Sequence, residues 1–168
     1  IEQEGTYPLP EAQLDRFLFK AVSLFPNVDQ LSAILDRTTG GPSNEPQPVL
    51  DAEAVRAHRA IVREVPAAPF AVRLASRLVL ATQPHAPEAT PKVRKYVRFG
   101  SSPRGGQALL AGAKYRAATD GRTSVSREDV VAFAAAALRH RLVLNFEAAA
   151  DRVSPDDIVA EVIATIRD

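Results

Sequence analysis

A mainly α-helical bundle is the fold class this sequence predicts, on three observations. Helix-start signals recur along the chain, each an Asn, Asp or Ser followed by apolar residues at three- and four-residue spacing. Pro and Gly interrupt these runs so often that no helix grows long, and only Leu142 to Leu144 reads as a short strand. The 168 residues are 46% hydrophobic and 24% charged, which suits a folded globular chain with a sizeable core rather than a disordered one.

Taken in order, Asn27 with Gln30 forms a capping box for a helix near 28–38, with Leu31, Ile34 and Leu35 at helical spacing. Gly40-Gly41-Pro42, Pro46 and Pro48 end it in a loop. Asp51 caps the next helix, in which Val55, Val62 and Val65 are expected on one face until Pro66 and Pro69. The run from Phe70 to Thr82, with Val72, Leu74, Leu78, Val79 and Ala81, reads as a mostly buried helix. Residues 84–103 are rich in proline and basic side chains, and Val93, Tyr96, Val97 and Phe99 can anchor a short helix or an ordered loop.

Ser102-Pro103 opens a helix with serine as N-cap and proline at its first position, and Leu109, Ala113 and Ala117 give its core face until Gly121. Ser126 and Asp129 start another, carried on through Val130, Phe133, Ala134, Ala137 and Leu138. Ser154-Pro155-Asp156-Asp157 is the strongest start, with two acids where the helix dipole favours negative charge, and Ile158, Val162 and Ile166 form the stripe behind it.

Several functions are excluded or disfavoured at this level. Without cysteine there is no disulfide, thiolate metal site or cysteine nucleophile. His58, His85 and His140 lie too far apart to pair as metal ligands on one helix, so no metal is expected. No apolar run approaches the roughly 18 residues of a membrane helix, no stretch reads as a signal peptide, and the expected location is cytoplasmic. No phosphate loop, dinucleotide-binding fingerprint, zinc-protease motif or nucleophile elbow is present. The chain opens Ile1-Glu2-Gln3-Glu4 and contains no methionine, which suggests a piece of a longer protein.

Charge is uneven. Residues 91–122 hold 8 Lys and Arg against 1 acid, whereas the stretches before and after carry more acids than bases. Such a block attracts phosphates or presents a solvated face. Within it Arg104 sits in the first turn of a helix beside Gly105 and Gly106, small neighbours that could let a polyphosphate approach; the plainer alternative is a surface arginine beside a cap. Arg16, in Leu14-Asp15-Arg16-Phe17, is a second arginine placed to stabilise phosphoryl charge, or else to form a salt bridge with Glu11 or Asp15.

The opening stretch from Ile1 through Tyr7-Pro8-Leu9-Pro10-Glu11-Ala12-Gln13-Leu14-Asp15-Arg16-Phe17 closely resembles the segment after sensor 1 in MoxR-type AAA+ ATPases. Further matches follow in the family's order: Val93-Arg94-Lys95-Tyr96-Val97-Arg98-Phe99-Gly100, Ser102-Pro103-Arg104-Gly105, Leu138-Arg139-His140-Arg141-Leu142 and Asn145-Phe146-Glu147-Ala148. The resemblance implies the C-terminal end of an α/β AAA+ core over 1–25 and a helical AAA+ lid over 26–168. Arg16 resembles the arginine finger that reaches the neighbouring subunit's nucleotide in trans, and Arg104 the sensor 2 arginine that reaches ATP in cis. It further implies ATP and Mg²⁺ as ligands of the intact protein and a homo-oligomeric ring, hexameric by the same likeness. Chaperone-like remodelling or maturation of a client, beside a von Willebrand factor A domain protein, completes that picture.

The family's phosphate-loop lysine (Walker A), acidic Mg²⁺ strand (Walker B) and sensor 1 asparagine all precede the position of Ile1. The 168 residues alone are therefore expected to be inactive and to bind no nucleotide tightly. Gly106 stands where the family carries alanine. The competing reading is a non-enzymatic helical module that binds nucleic acid or protein through 91–122, with Tyr96 and Phe99 among Lys92, Arg94, Lys95 and Arg98; no helix-turn-helix or zinc-finger spacing supports it.

Overall fold

In a computed structural model, which describes Leu9–Gly40 and Pro46–Ile166, short helices follow one another as the caps dictate. Residues 1–8 of the opening motif and the Gly41-Pro42 part of the first loop break lie outside the described residues. The chain divides into two compact units, residues 1–20 with 60–168 and residues 21–59. Their borders differ from the 1–25 and 26–168 division that the family resemblance suggests, because residues 15–20 are hydrogen-bonded to the main bundle.

The smaller unit carries α2 (Val28–Thr39) and most of α3 (Ala52–Glu64). Asn27 and Gln30 close the expected capping box at 2.9 and 3.1 Å, and the Asp51 carboxylate accepts from the Ala54 amide at 2.7 Å. Neither helix buries a residue. The apolar face expected over Val55, Val62 and Val65 is thus reduced to Val65, which is buried just past the helix end in the larger unit, while Val55 is exposed.

In the larger unit, α1 (Glu11–Leu14) is a single turn that delivers residues 15–20. The core forms around α4 (Pro69–Ala81), which buries Ala71, Leu74, Ala75, Leu78 and Ala81 as its run predicts; Val72 and Leu80 point outward. The stretch 84–103 resolves into α5 (Pro91–Tyr96) and β1 (Val97–Phe99). The N-cap of α5 is Thr90, and its hydroxyl and the Lys92 amide both reach Glu161 of the last helix, at 2.7 and 3.2 Å.

Helix α6 (Pro103–Thr119) buries Leu109, Ala113 and Ala117 completely and ends before Gly121 at φ 68°, a left-handed position that glycine takes without strain. The helix expected through 126–138 is two: α7 (Arg127–Ala132) and α8 (Ala134–Leu138), interrupted at Phe133. The Phe133 ring stacks on Phe19 at 5.2 Å and lies so close over Gly112 that a Cβ there would meet it at 2.5 Å. The expected strand is β2 (Val143–Leu144), paired antiparallel with β1 through Val97 opposite Leu144. After α9 (Phe146–Ala150), α10 (Pro155–Thr165) starts with the Ser154–Asp157 capping box and buries Ile158 and Val162, with Ile166 buried just beyond. Among the described residues no helix is long and apolar enough to cross a membrane.

Candidate functional site: two arginines joined by a carboxylate

Arg104 owes its place to the segment before it. A Cβ on Gly100 would lie 2.4 Å from the Thr82 carbonyl oxygen, so only glycine lets this strand end pass so close to the end of α4. There the buried Ser101 amide donates to the Thr82 hydroxyl at 2.9 Å, and the Gln83 amide group donates to the Ser101 carbonyl at 2.8 Å. Ser102 then caps α6, accepting from the Arg104 amide at 3.2 Å. Gly105 faces inward, where a Cβ would meet Ser101 Oγ at 2.1 Å and Leu138 at 2.9 Å. Its smallness serves helix packing rather than ligand approach, which corrects the expectation drawn from the paired glycines.

The guanidinium of Arg104 is 56% exposed and donates to Asp15 Oδ2 at 2.8 Å. The Ser102 hydroxyl donates to the other oxygen of the same carboxylate at 2.7 Å. Arg141, whose side chain is only 2% exposed, approaches Asp15 Oδ1 with Nε at 3.2 Å. Burial pushes the Asp15 carboxyl up, but the Ser102 and Arg104 hydrogen bonds and the Arg141 charge outweigh it and hold it below the ordinary range.

Arg141 also donates to the carbonyls of Asp15 at 3.0 Å, Phe17 at 2.6 Å and Leu18 at 3.3 Å, and to that of Ala137 one turn back. His140 Nε2 lies 3.0 Å from the Phe17 carbonyl, Arg139 donates to that of Lys20, and the Lys20 amide donates to Ala136 at 2.9 Å. Burial above all, with the charges of Arg141 and Lys20, holds the His140 imidazole below its usual pKa despite the Phe17 carbonyl. Residues 15–20 are therefore strapped along 136–141 by their backbone, so their side chains need not hold them. Arg16 stands exposed on this strap; its backbone amide donates to the Gln13 carbonyl at 3.1 Å, while its guanidinium makes no hydrogen bond or ion pair among the described residues. The salt bridge to Asp15 considered for it is absent, because Asp15 is engaged by Arg104 and Arg141.

A cleft of about 380 Å³ opens beside this network, lined by Leu14, Asp15, Phe99, Ser102, Arg141 and Leu144 among others. Asp15 and Arg141 carry the geometry of the site; sequence reasoning offered Asp15 only as a salt-bridge partner for Arg16 and gave Arg141 no role. A signal existed for Arg141: it lies between the apolar Leu138 and Leu142, and an arginine on a buried face must find several acceptors.

Most charges of the basic block have partners on the protein itself. Arg94 donates to the carbonyls of Ala86, Pro87 and Ala89, Lys95 pairs with Asp151 at 2.9 Å, Lys114 donates to the Arg63 carbonyl, and Arg116 and Arg122 converge on the 1% exposed Asp129. The charges that suggested nucleic acid are thus mostly paired within the protein, which weakens the observation behind that reading.

Residues 89–162 match the AAA lid domain family. The structure superposes on that of a proposed ATPase from Cytophaga hutchinsonii with a TM-score of 0.91 and 30% identity, over 99% of this chain and 51% of that one. The fold is thus that of an AAA+ helical lid domain. More particularly, the chain is 35% identical over 170 residues to Chaperone MoxR1 of Mycobacterium tuberculosis, covering 99% of this chain and 44% of that protein, a likeness consistent with the C-terminal part of a MoxR-type AAA+ ATPase. It is also 32% identical over 168 residues to the uncharacterized protein YeaC of Bacillus subtilis, half of whose length it covers. The chain spans about half the length of the curated relatives it matches.

Proposed function

We propose that this chain is the lid and arginine-finger portion of a ring-forming ATPase that couples ATP binding and hydrolysis to chaperone-like remodelling of a client in the cytoplasm. The observation that carries the reading is the pair of exposed guanidinium groups, Arg104 at the start of α6 and Arg16 on the strap, both fixed at the backbone and both reachable from solvent. A planar, always-charged fork suits phosphate oxygens, and a rigid base lets it act without reorganising. Arg104 would read the terminal phosphate bound by its own subunit, and Arg16 that of the adjacent one.

The residues on this chain fit one part of a nucleotide, its phosphate charge. Asp15, the carboxylate beside Arg104, is engaged by two arginines, so the donors for Mg²⁺ and the cradle for the phosphates belong to other parts of the intact enzyme. A lid that contacts a phosphate present only before hydrolysis favours one orientation in that state, which converts chemistry into movement. The reading is tested by Arg104→Ala in the intact ATPase, expected to reduce turnover about a hundredfold, the low end of what one preorganised charge-stabilising group contributes. Unchanged turnover would remove Arg104 from the mechanism.

A further inference from the structure

Asp15 is shared by two arginines of opposite character. Arg141 is 2% exposed and is held by the backbone carbonyls of Asp15, Phe17 and Leu18, so it stays where it is. Arg104 is 56% exposed and reaches Asp15 through one nitrogen at 2.8 Å, so it can leave. If it leaves, the carboxylate keeps Arg141 and the Ser102 hydroxyl and is never a bare buried charge. A phosphate that takes Arg104 must therefore compete with Asp15, at a modest cost.

We propose that Asp15 is a positioning residue which parks the Arg104 guanidinium through an exchangeable ion pair, and that the arriving nucleotide phosphate displaces it. The inference rests on the assignment of Arg104 to nucleotide sensing. The carboxylate also sets a preference between ligands: a nucleotide with a terminal phosphate placed to capture Arg104 recovers the lost pair, whereas one lacking that phosphate leaves the parked state in place.

Replacing the charge while keeping an oxygen for Ser102 isolates the effect. In the intact ATPase, Asp15→Asn is expected to tighten binding of a non-hydrolysable ATP analogue about threefold to fivefold, the range of a partly exposed ion pair, with ADP affinity unchanged. Asp15→Ser, which also keeps a hydroxyl near Ser102, gives the same tightening, and a thermal melt confirms that each variant is folded. In an Arg104→Ala background Asp15→Asn is expected to change neither affinity, since the competitor has no partner left to hold. A folded Asp15→Asn protein with unchanged or weaker analogue binding overturns the exchange, as does tightening that persists without Arg104. If Arg104→Ala alone alters neither binding nor turnover, the sensing assignment itself fails, an outcome distinct from both.

Discussion

At the scale of single residues, adjacent glycines do opposite things. A Cβ on Gly106 would meet Val79 at 3.5 Å, an ordinary contact, so Gly106→Ala is expected to stabilise the chain by about 0.5–1 kcal/mol through helix propensity. Gly105→Ala places its methyl 2.1 Å from Ser101 Oγ and 2.9 Å from Leu138, and is expected to cost about 1–3 kcal/mol by overpacking. Urea denaturation of the two variants checks both signs; equal shifts would mean that the packing around α6 is looser than these distances. Gly105 and Gly106 are thus separated by a steric difference that the sequence shows as two identical letters.

At the scale of elements, the end of α6 and the start of α7 are joined by Asp129. Its carboxylate receives both arms of Arg122, at 2.5 and 2.6 Å, and the Ser126 amide at 2.8 Å. The Arg122 hydrogen bonds, outweighing burial, hold its pKa at about 2. A depressed carboxylate pKa means that the unfolded chain binds the proton first, so this stability is present above the unfolded value and lost as pH falls from about 5 towards 2. Asp129→Asn is expected to cost about 2–3 kcal/mol at pH 7, and the gap from wild type to narrow as pH falls through that window. Denaturation at pH 7, 4 and 3 measures it; a constant gap would show that the charge does not matter. The caps of α2, α6, α7 and α10 were legible in the sequence because side chain and amide stand two or three residues apart. The interruption at Phe133 was not, since its ring answers to Gly112 and Phe19, residues on other elements. The cap contribution of Glu161 to α5 was equally hidden, since Glu161 and Thr90 are 71 positions apart.

At the scale of the whole molecule, the ring reading makes a claim that no single chain can satisfy. In mixed assemblies of the intact ATPase, Arg16→Ala subunits are expected to keep nucleotide affinity while silencing hydrolysis by the neighbour they face, so that turnover falls more steeply than the fraction of variant subunits. Activity in simple proportion to wild-type content would place Arg16 outside the transfer step. The sequence by itself determined the helical class, the positions of the helix starts and the two arginines worth attention, because caps, apolar spacing and short motifs are local and each is written within a few consecutive residues. Tertiary structure alone decided what holds those arginines. Arg141 and Phe17 are 124 positions apart, and Arg104 and Asp15 are 89 apart. Only folding brings the carbonyls of the strap to one buried guanidinium and leaves the neighbouring Arg16 exposed, since a hydrogen-bonded pair is set by distance in space and not by order along the chain.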